Sequence, residues 1–317
     1  MPFKVEGLVC ASFTPMTEDR EVNIKVIDAY QKYLSDNGIS CMYVNGSTGE
    51  GPLLTTQERK DILAEWMRLS RLPGRSMRIM VQVGGTTDKE IMELTTHAAS
   101  LKVDAVSALP SLYFTPTCVD DLVDHCRRIS EKAPGIPFYY YHVPVWTGIN
   151  LNMQEFLEKC RSAVPDLRGI KFTSKDLYEG AKCLRTKDAS GDVYDMLYGC
   201  DEQLIGALAM GFRGGVGSTY NLMPGVYKSL MSLCDQGLWE KARLQQYRSI
   251  DVIKIIFDFG KRCGLLMSAQ KAVMHRVGAP VGPTRHPITE LSDEEKEALM
   301  KKLEEIGFFQ WRIDEQL

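Results

Sequence analysis

The chain has no paired metal-ligand spacing. None of its five histidines forms an HxH or HExxH pair, and none of its nine cysteines forms CxxC. The cysteines stand singly at positions 10, 41, 118, 126, 160, 183, 200, 234 and 263. An odd, scattered set fits reduced thiols in the cytoplasm rather than a disulfide framework. No structural or catalytic metal is expected. No stretch approaches the roughly 18 apolar residues of a membrane helix, and the longest candidate run, Val252 to Phe257, is interrupted by Lys254. The opening MPFKVEGLVCASFTP has neither a long apolar segment nor a small-residue cleavage site, so no secretory signal is expected. Charge of one sign is also missing: 38 basic residues face 41 acidic ones. Such a surface recruits neither nucleic acid nor an anionic membrane. The Rossmann glycine fingerprint is absent from the first turn, where Thr14-Pro15-Met16 stands instead.

What remains is an ordinary globular composition, 44% hydrophobic and 25% charged, over 317 residues. That excludes disorder, collagen and coiled coil as readings of the whole chain. It allows two domains, or one large barrel with an appendage. Apolar, β-branched and aromatic runs recur as candidate strands at Gly7–Phe13, Cys41–Val44, Met77–Val83, Ala105–Leu109, Phe138–His142, Gly169–Phe172, Asp195–Tyr198 and Gly214–Gly217. Helical patterns fall between them, at Ile24–Ser35, Gln57–Arg71, Asp88–Leu101, Val119–Glu131, Met153–Ala163, Leu177–Cys183 and Gln203–Met210. Thr56 and Thr87, each followed by acids, are the expected starts of two of these helices. Strict alternation implies a parallel sheet with right-handed crossovers. Eight strands favour a closed (β/α)8 barrel, with an open doubly wound sheet as the alternative. After about residue 222 only helical patterns remain, at Pro224–Cys234, Trp239–Phe259, Leu265–Val277 and Asp293–Ile306. The expected division is a barrel over residues 1–222 and a helical region over 223–317.

In such a barrel, chemistry belongs at the carboxyl ends of the strands. Strand two ends in Asn45-Gly46-Ser47-Thr48-Gly49-Glu50. This segment is either an anion-binding nest for a small carboxylate or phosphate, or a tight turn. Strand five ends in Tyr139-Tyr140-Tyr141-His142, whose side chains must alternate between the two faces. A phenol facing a polar lumen can shuttle a proton; one facing the core only packs. His142 reads as a strand-end cap. Strand six carries Lys171 between Ile170 and Phe172. If that lysine faces the lumen, desolvation favours the neutral amine, which can form a Schiff base. The alternative is an outward, snorkelling lysine. Strand seven ends in Tyr198-Gly199-Cys200-Asp201-Glu202, where the acids either hold hydroxyls or start a helix. Strand eight leads into Ser218-Thr219-Tyr220-Asn221.

Together these segments resemble the pyruvate-dependent class I aldolases of the N-acetylneuraminate lyase and dihydrodipicolinate synthase superfamily. The resemblance spans essentially the whole chain. It rests on Gly46-Ser47-Thr48-Gly49-Glu50, on Tyr141-x-x-Pro144, and on Lys171 thirty residues after that tyrosine. It implies a (β/α)8 barrel, usually in a homotetramer. It also implies Lys171 as the Schiff-base lysine, Tyr141 as the proton-transfer group, and Ser47 and Thr48 as holders of the pyruvate-derived carboxylate. Tyr113 is the candidate for the tyrosine that members insert into a neighbouring subunit's site. Trp146 stands where the synthases carry an arginine for a second carboxylate, and Phe172-Thr173-Ser174 replaces their usual glutamate after the lysine. The chain therefore sides with the sialic acid lyases, with Thr173, Gly199, Asp201, Glu202 and Ser218 toward the sugar chain. The implied reaction converts N-acetylneuraminate to N-acetylmannosamine and pyruvate, with no cofactor, because the imine itself is the electron sink. Another 2-keto-acid or 2-keto-3-deoxy-sugar-acid aldolase, or a non-catalytic sialic acid or pyruvate sensor, remains an alternative.

Overall fold

Apolar runs and amphipathic segments alternate through most of the chain, and the computed structural model turns that alternation into strands and helices. It describes residues 4, 5, 7–260 and 266–314. In chain order the elements begin with β1 (Gly7–Ala11), α1 (Val26–Asp36), β2 (Cys41–Val44), α2 (Thr56–Ser70), β3 (Arg78–Gln82), α3 (Asp88–Ser100) and β4 (Ala105–Ala108). They continue with α4 (Val119–Ser130), β5 (Phe138–His142), α5 (Pro144–Thr147), α6 (Met153–Ala163), β6 (Leu167–Phe172), α7 (Leu177–Cys183), β7 (Asp195–Tyr198), α8 (Leu204–Met210) and β8 (Gly214–Gly217). The strands follow one another in sequence order around a closed barrel, β1 to β8. The helices α9 (Pro224–Asp235), α10 (Trp239–Gly260), α11 (Met267–Val277), α12 (Asp293–Glu305) and α13 (Phe308–Trp311) follow.

Several boundaries differ from the sequence expectation. β1 ends at Ala11 rather than Phe13, although the Ser12 amide still donates to Tyr43 at 3.0 Å. The start of α2 is capped by Thr55, not Thr56. The Thr55 hydroxyl accepts from the Glu58 amide while the Glu58 carboxylate accepts from the Thr55 amide. That reciprocal pair needs three-residue spacing, which only Thr55 has. Thr87 caps α3 as expected. Leu265, the expected start of α11, lies outside the described residues. The short helices α5 and α13 were not anticipated, because each lasts a single turn and carries no readable period.

Two compact units divide the chain. One comprises Met1–Gly7 and Arg78–Val216, the other Leu8–Met77 and Gly217–Leu317. In the first, β3 to β8 pair in parallel, each with the next. The outward faces of its strands carry an aromatic layer against the helices. Tyr140 packs on Phe156 of α6 with ring centroids 5.0 Å apart, His142 on Phe172 at 5.3 Å, and Phe172 on Phe212 at 6.1 Å. Tyr139, one residue out of phase with Tyr140, donates its hydroxyl to Asp195 at 2.7 Å, and the same carboxylate oxygen accepts from the Val5 amide at 2.9 Å.

One irregularity sets the register of this unit. Phe138 pairs with Leu167, but Tyr139 pairs with Gly169, so β6 carries one extra residue. Pairing then proceeds evenly to Tyr141 opposite Lys171. Neighbouring residues of paired parallel strands share a face, so the bulge decides which side of the sheet Lys171 takes.

In the second unit, β1 pairs with β2, and Tyr30 of α1 packs edge-on against Trp66 of α2 at 5.6 Å. The Tyr30 hydroxyl accepts from the Phe13 amide at 3.2 Å and donates to Asn221, whose side-chain amide donates to the Ala11 carbonyl at 2.8 Å. Burial holds the Tyr30 phenol well above its usual pKa, so it stays a neutral donor.

A Cβ added at Gly169 would lie 1.6 Å from the Asp195 carbonyl oxygen of β7. Main chain cannot yield as a flexible side chain can. Overpacking of a core typically costs about 1–3 kcal/mol, and Gly169→Ala is expected at or beyond the top of that range. Urea unfolding measures it; a loss within about 0.5 kcal/mol of zero, the usual effect of a surface change, would mean that β6 and β7 can separate without penalty.

Candidate active site

The bulge and the glycine place Lys171 beside Tyr141. Lys171 is 4% exposed and Tyr141 2%, and the lysine Nζ lies 3.9 Å from the centre of the tyrosine ring. Lys171 is therefore inward and buried, not snorkelling. Removing an ammonium from water disfavours its charged form. Burial accordingly brings Lys171 from a lysine's ordinary 10.5 down to about 7, against the opposing pull of the Asp201 carboxylate. Near neutral pH a large share of this amine is unprotonated and nucleophilic.

Around this pair the ends of β6 and β7 supply polar groups. The Thr173 amide donates to the His142 carbonyl at 2.8 Å, and the Gly199 amide to the Phe172 carbonyl at 2.9 Å. These bonds bring the two turns so close that a Cβ on Gly199 would sit 2.0 Å from the Thr173 hydroxyl oxygen. That hydroxyl is buried without a hydrogen-bond partner, a costly condition that a polar ligand would relieve. Asp201 is 7% exposed and begins a single 3-10 turn, Asp201–Gln203. Glu202 is half-buried and pairs with the exposed Lys175 at 3.4 Å. Thus Lys171, Tyr141, Thr173, Gly199, Asp201 and Glu202 all belong to one unit and gather at consecutive strand ends.

Ser47, Thr48 and Ser218 belong to the other unit. Ser47 is half-buried and Thr48 buried. Their loop is flanked by two left-handed residues, Asn45 at φ 59° and Glu50 at φ 57°. It closes through the Glu50 amide to the Ser47 carbonyl and the Gly51 amide to the Gly46 carbonyl, both at 3.0 Å. The Thr14 hydroxyl donates to the Gly49 carbonyl at 2.6 Å. Ser218, half-buried, accepts at its carbonyl from the Asn221 side chain at 2.7 Å. Tyr113 is 79% exposed and stacks edge-on with Phe114 at 5.1 Å. Trp146 stands half-exposed on α5.

Residues 4–306 match the Dihydrodipicolinate synthetase family. The chain belongs to this family. N-acetylneuraminate lyase of Gallus gallus is 36% identical over 305 residues, spanning 96% of this chain and 96% of that protein. Among solved structures, the N-acetylneuraminate lyase of Proteus mirabilis superposes with a TM-score of 0.89 at 34% identity, covering 96% of this chain and 100% of that one. The native sialic acid aldolase of Aliivibrio salmonicida gives 0.89 at 36% identity, covering 96% and 98%. Membership of the Dihydrodipicolinate synthetase family agrees with the closed barrel.

Two groups differ from the sequence expectation. His142, expected as a strand-end cap, makes no hydrogen bond through its ring Nδ1. It is buried in the aromatic layer, and burial lowers its pKa to about 4. Lys271 and Glu50 form a buried ion pair at 2.9 Å. A signal for it was present: Lys271 stands with Met267 and Met274 at i, i+4 and i+7 spacing, on the apolar stripe of its helix. No group of three or more His, Cys, Asp or Glu residues suited to a metal occurs among the described residues.

A buried lysine with a depressed pKa also weakens the fold. In the unfolded chain it gains a proton near 10.5, but in the folded chain only near 7. The penalty is absent above the unfolded value, grows as pH falls from there, and is complete below the folded value. Lys171→Met should therefore raise Tm, more at pH 7 than at pH 10. Thermal melts at both values check this; an equal shift at both would mean that the amine is not desolvated.

Proposed function

We propose that this chain is a sialic acid aldolase, cleaving N-acetylneuraminate to N-acetylmannosamine and pyruvate through a lysine Schiff base. The observation that carries the reading is the buried Lys171 amine against the Tyr141 ring at 3.9 Å, with its pKa brought to about 7. The names of its relatives support the choice of substrate.

In this mechanism the neutral Lys171 amine adds to the C2 ketone of the open-chain sugar, and loss of water gives a protonated imine. The imine accepts the electron pair of the C3–C4 bond as it breaks, leaving an enamine. Tyr141 takes the proton of the C4 hydroxyl as its own phenolic proton passes, directly or through Ser47, to the substrate carboxylate, and the C4 oxygen becomes the aldehyde of N-acetylmannosamine. The enamine is reprotonated at C3, and water releases pyruvate and the free amine. Ser47 and Thr48 hold the carboxylate, which fixes the reacting geometry. Thr173, Gly199, Asp201, Glu202 and Ser218 face the polyhydroxylated tail. No cofactor or metal is required, since the imine is the electron sink. Trp146 offers no cation for a second carboxylate, and the acids at 201 and 202 disfavour an acidic tail.

The proposal extends to the assembly and setting. Residues 1–222 carry the site and 223–317 form a helical region; the chain works as a cytoplasmic homotetramer, without nucleic acid or membrane partners. The exposed Tyr113 and Phe114 suit insertion into a neighbouring subunit. The described cysteines are free thiols, and no helix among the described residues is long and apolar enough to cross a membrane.

Pyruvate with borohydride should attach a stable three-carbon adduct to Lys171, located by peptide mass mapping. Lys171→Ala should abolish both labelling and release of N-acetylmannosamine and pyruvate. Activity with a label elsewhere, or with none, would end the Schiff-base reading.

Asp201→Ala separates tail binding from imine chemistry. Losing a hydrogen bond to a charged group costs about 1.5–3 kcal/mol, so kcat/KM for N-acetylneuraminate should fall about ten- to 150-fold. Trapping of bare pyruvate, compared well above the Lys171 value of about 7, where the amine is neutral with or without the Asp201 charge, should hardly change. Equal losses for both would give Asp201 a purely structural role, and efficient condensation of pyruvate with aspartate semialdehyde would move the chain to the synthase branch.

A further inference from the structure

The loop carrying Ser47 and Thr48 ends in an acid that the proposed reaction does not use. Glu50 is 2% exposed, with its side chain fully covered. Its carboxylate is divided between two partners. One oxygen accepts from Lys271 Nζ at 2.9 Å, and the other from the Arg285 amide at 2.6 Å. Lys271, itself 2% exposed, spends its remaining donors on the carbonyls of Thr14 at 2.9 Å and Pro283 at 2.6 Å. Thr14 in turn holds the Gly49 carbonyl through its hydroxyl. The left-handed Glu50 closes the same turn by donating its amide to the Ser47 carbonyl. One ammonium thus ties together the segment after β1, the end of the loop after β2, and the segment after α11.

This arrangement is more than a brace, because of its charge. A buried carboxylate three residues from Ser47 would repel a second carboxylate strongly in a poorly solvated setting. With Lys271 against it, the pair is neutral, and the loop keeps its shape without presenting a net negative charge. We propose that the buried Glu50–Lys271 pair is the positioning device of the Ser47–Thr48 loop, fixing its shape and cancelling the negative charge at its end so that the loop accepts a substrate carboxylate. The inference rests on the aldolase reading, in which that loop holds the pyruvate carboxylate.

Two ligands of nearly equal size separate charge from shape. Pyruvate carries the carboxylate; pyruvamide carries the same ketone without it. Borohydride trapping on Lys171, titrated with each ligand, gives two half-saturating concentrations. In Lys271→Met the value for pyruvate should rise roughly ten-fold or more, as expected when a buried charge is left uncompensated near an anion. The value for pyruvamide should move by much less. Lys271→Met/Glu50→Gln, which removes both charges, should recover most of the pyruvate affinity. Lys271→Gln, whose amide can still donate to a carbonyl, gives the same comparison should the methionine variant fail to fold. Equal losses for both ligands, no loss for either, or a double variant no better than the single one would each overturn the inference. Absence of any pyruvate adduct in the unaltered protein would instead overturn the aldolase reading on which it stands.

Discussion

The chemistry of the first unit depends on one strand contact with no room for a side chain. β6 and β7 approach until the Gly169 α-carbon faces the Asp195 carbonyl, where even a methyl group would overlap it. Just before that point the extra residue in β6 shifts the pairing with β5. Without that shift Tyr141 would stand opposite Ile170, and the lysine would take the other face, with Tyr140 and His142, while Phe172 turned to the lumen. With it, an apolar residue enters the aromatic layer and the amine enters the lumen beside the phenol. A single irregularity of backbone register thus converts a lysine that could have snorkelled into a buried amine with a lowered pKa.

Much of this was legible in the sequence, for definite reasons. The strands Cys41–Val44, Phe138–His142, Asp195–Tyr198 and Gly214–Gly217 have the expected bounds: Asn45-Gly46, Val143-Pro144 and Gly199 close the first three, and Arg213 precedes the fourth. The alternation of Tyr139, Tyr140 and Tyr141 follows from the two-residue period of a strand, and the structure keeps it: Tyr140 packs on Phe156, while Tyr139 and Tyr141 turn to polar partners. The inward direction of Lys171 cannot be read from the sequence, since periodicity fixes a face only relative to neighbours in register. The bulge that decides it lies at Arg168, a residue whose type announces nothing. The expected start of β6, Gly169, therefore lies two residues after the observed one, Leu167.

Long-range pairing is the other part that one-dimensional reading could not reach. Glu50 closes a motif whose serine and threonine attract attention, and its own partner is 221 residues away. Lys271 could have been suspected from its place on an apolar helical stripe, but a stripe cannot name the acid it meets. Local chemistry was easier to read than contact across the chain. Thr87 caps α3 as the sequence implies, while the cap of α2 falls on Thr55 rather than Thr56, its neighbour of the same capping type.

The two buried lysines show how environment divides one side chain between two tasks. Both lose solvation, and for both burial is the largest influence, pulling the pKa down. For Lys271 the loss is opposed at hydrogen-bond distance by a carboxylate and by two carbonyls that accept its protons. Such a lysine is held as a cation and has no lone pair to offer. For Lys171 the opposing charge is that of Asp201, and the net effect still leaves the amine near 7, where the neutral and charged forms are both populated, as the proposed imine chemistry needs. In the proposed mechanism a full ion pair at that position would quench the amine, and burial with no charge nearby would suppress protonation and hinder the return of the imine to water. The intermediate setting costs stability and keeps the lysine reactive, whereas the complete pair at Lys271 gives a fixed charge suited to holding a loop.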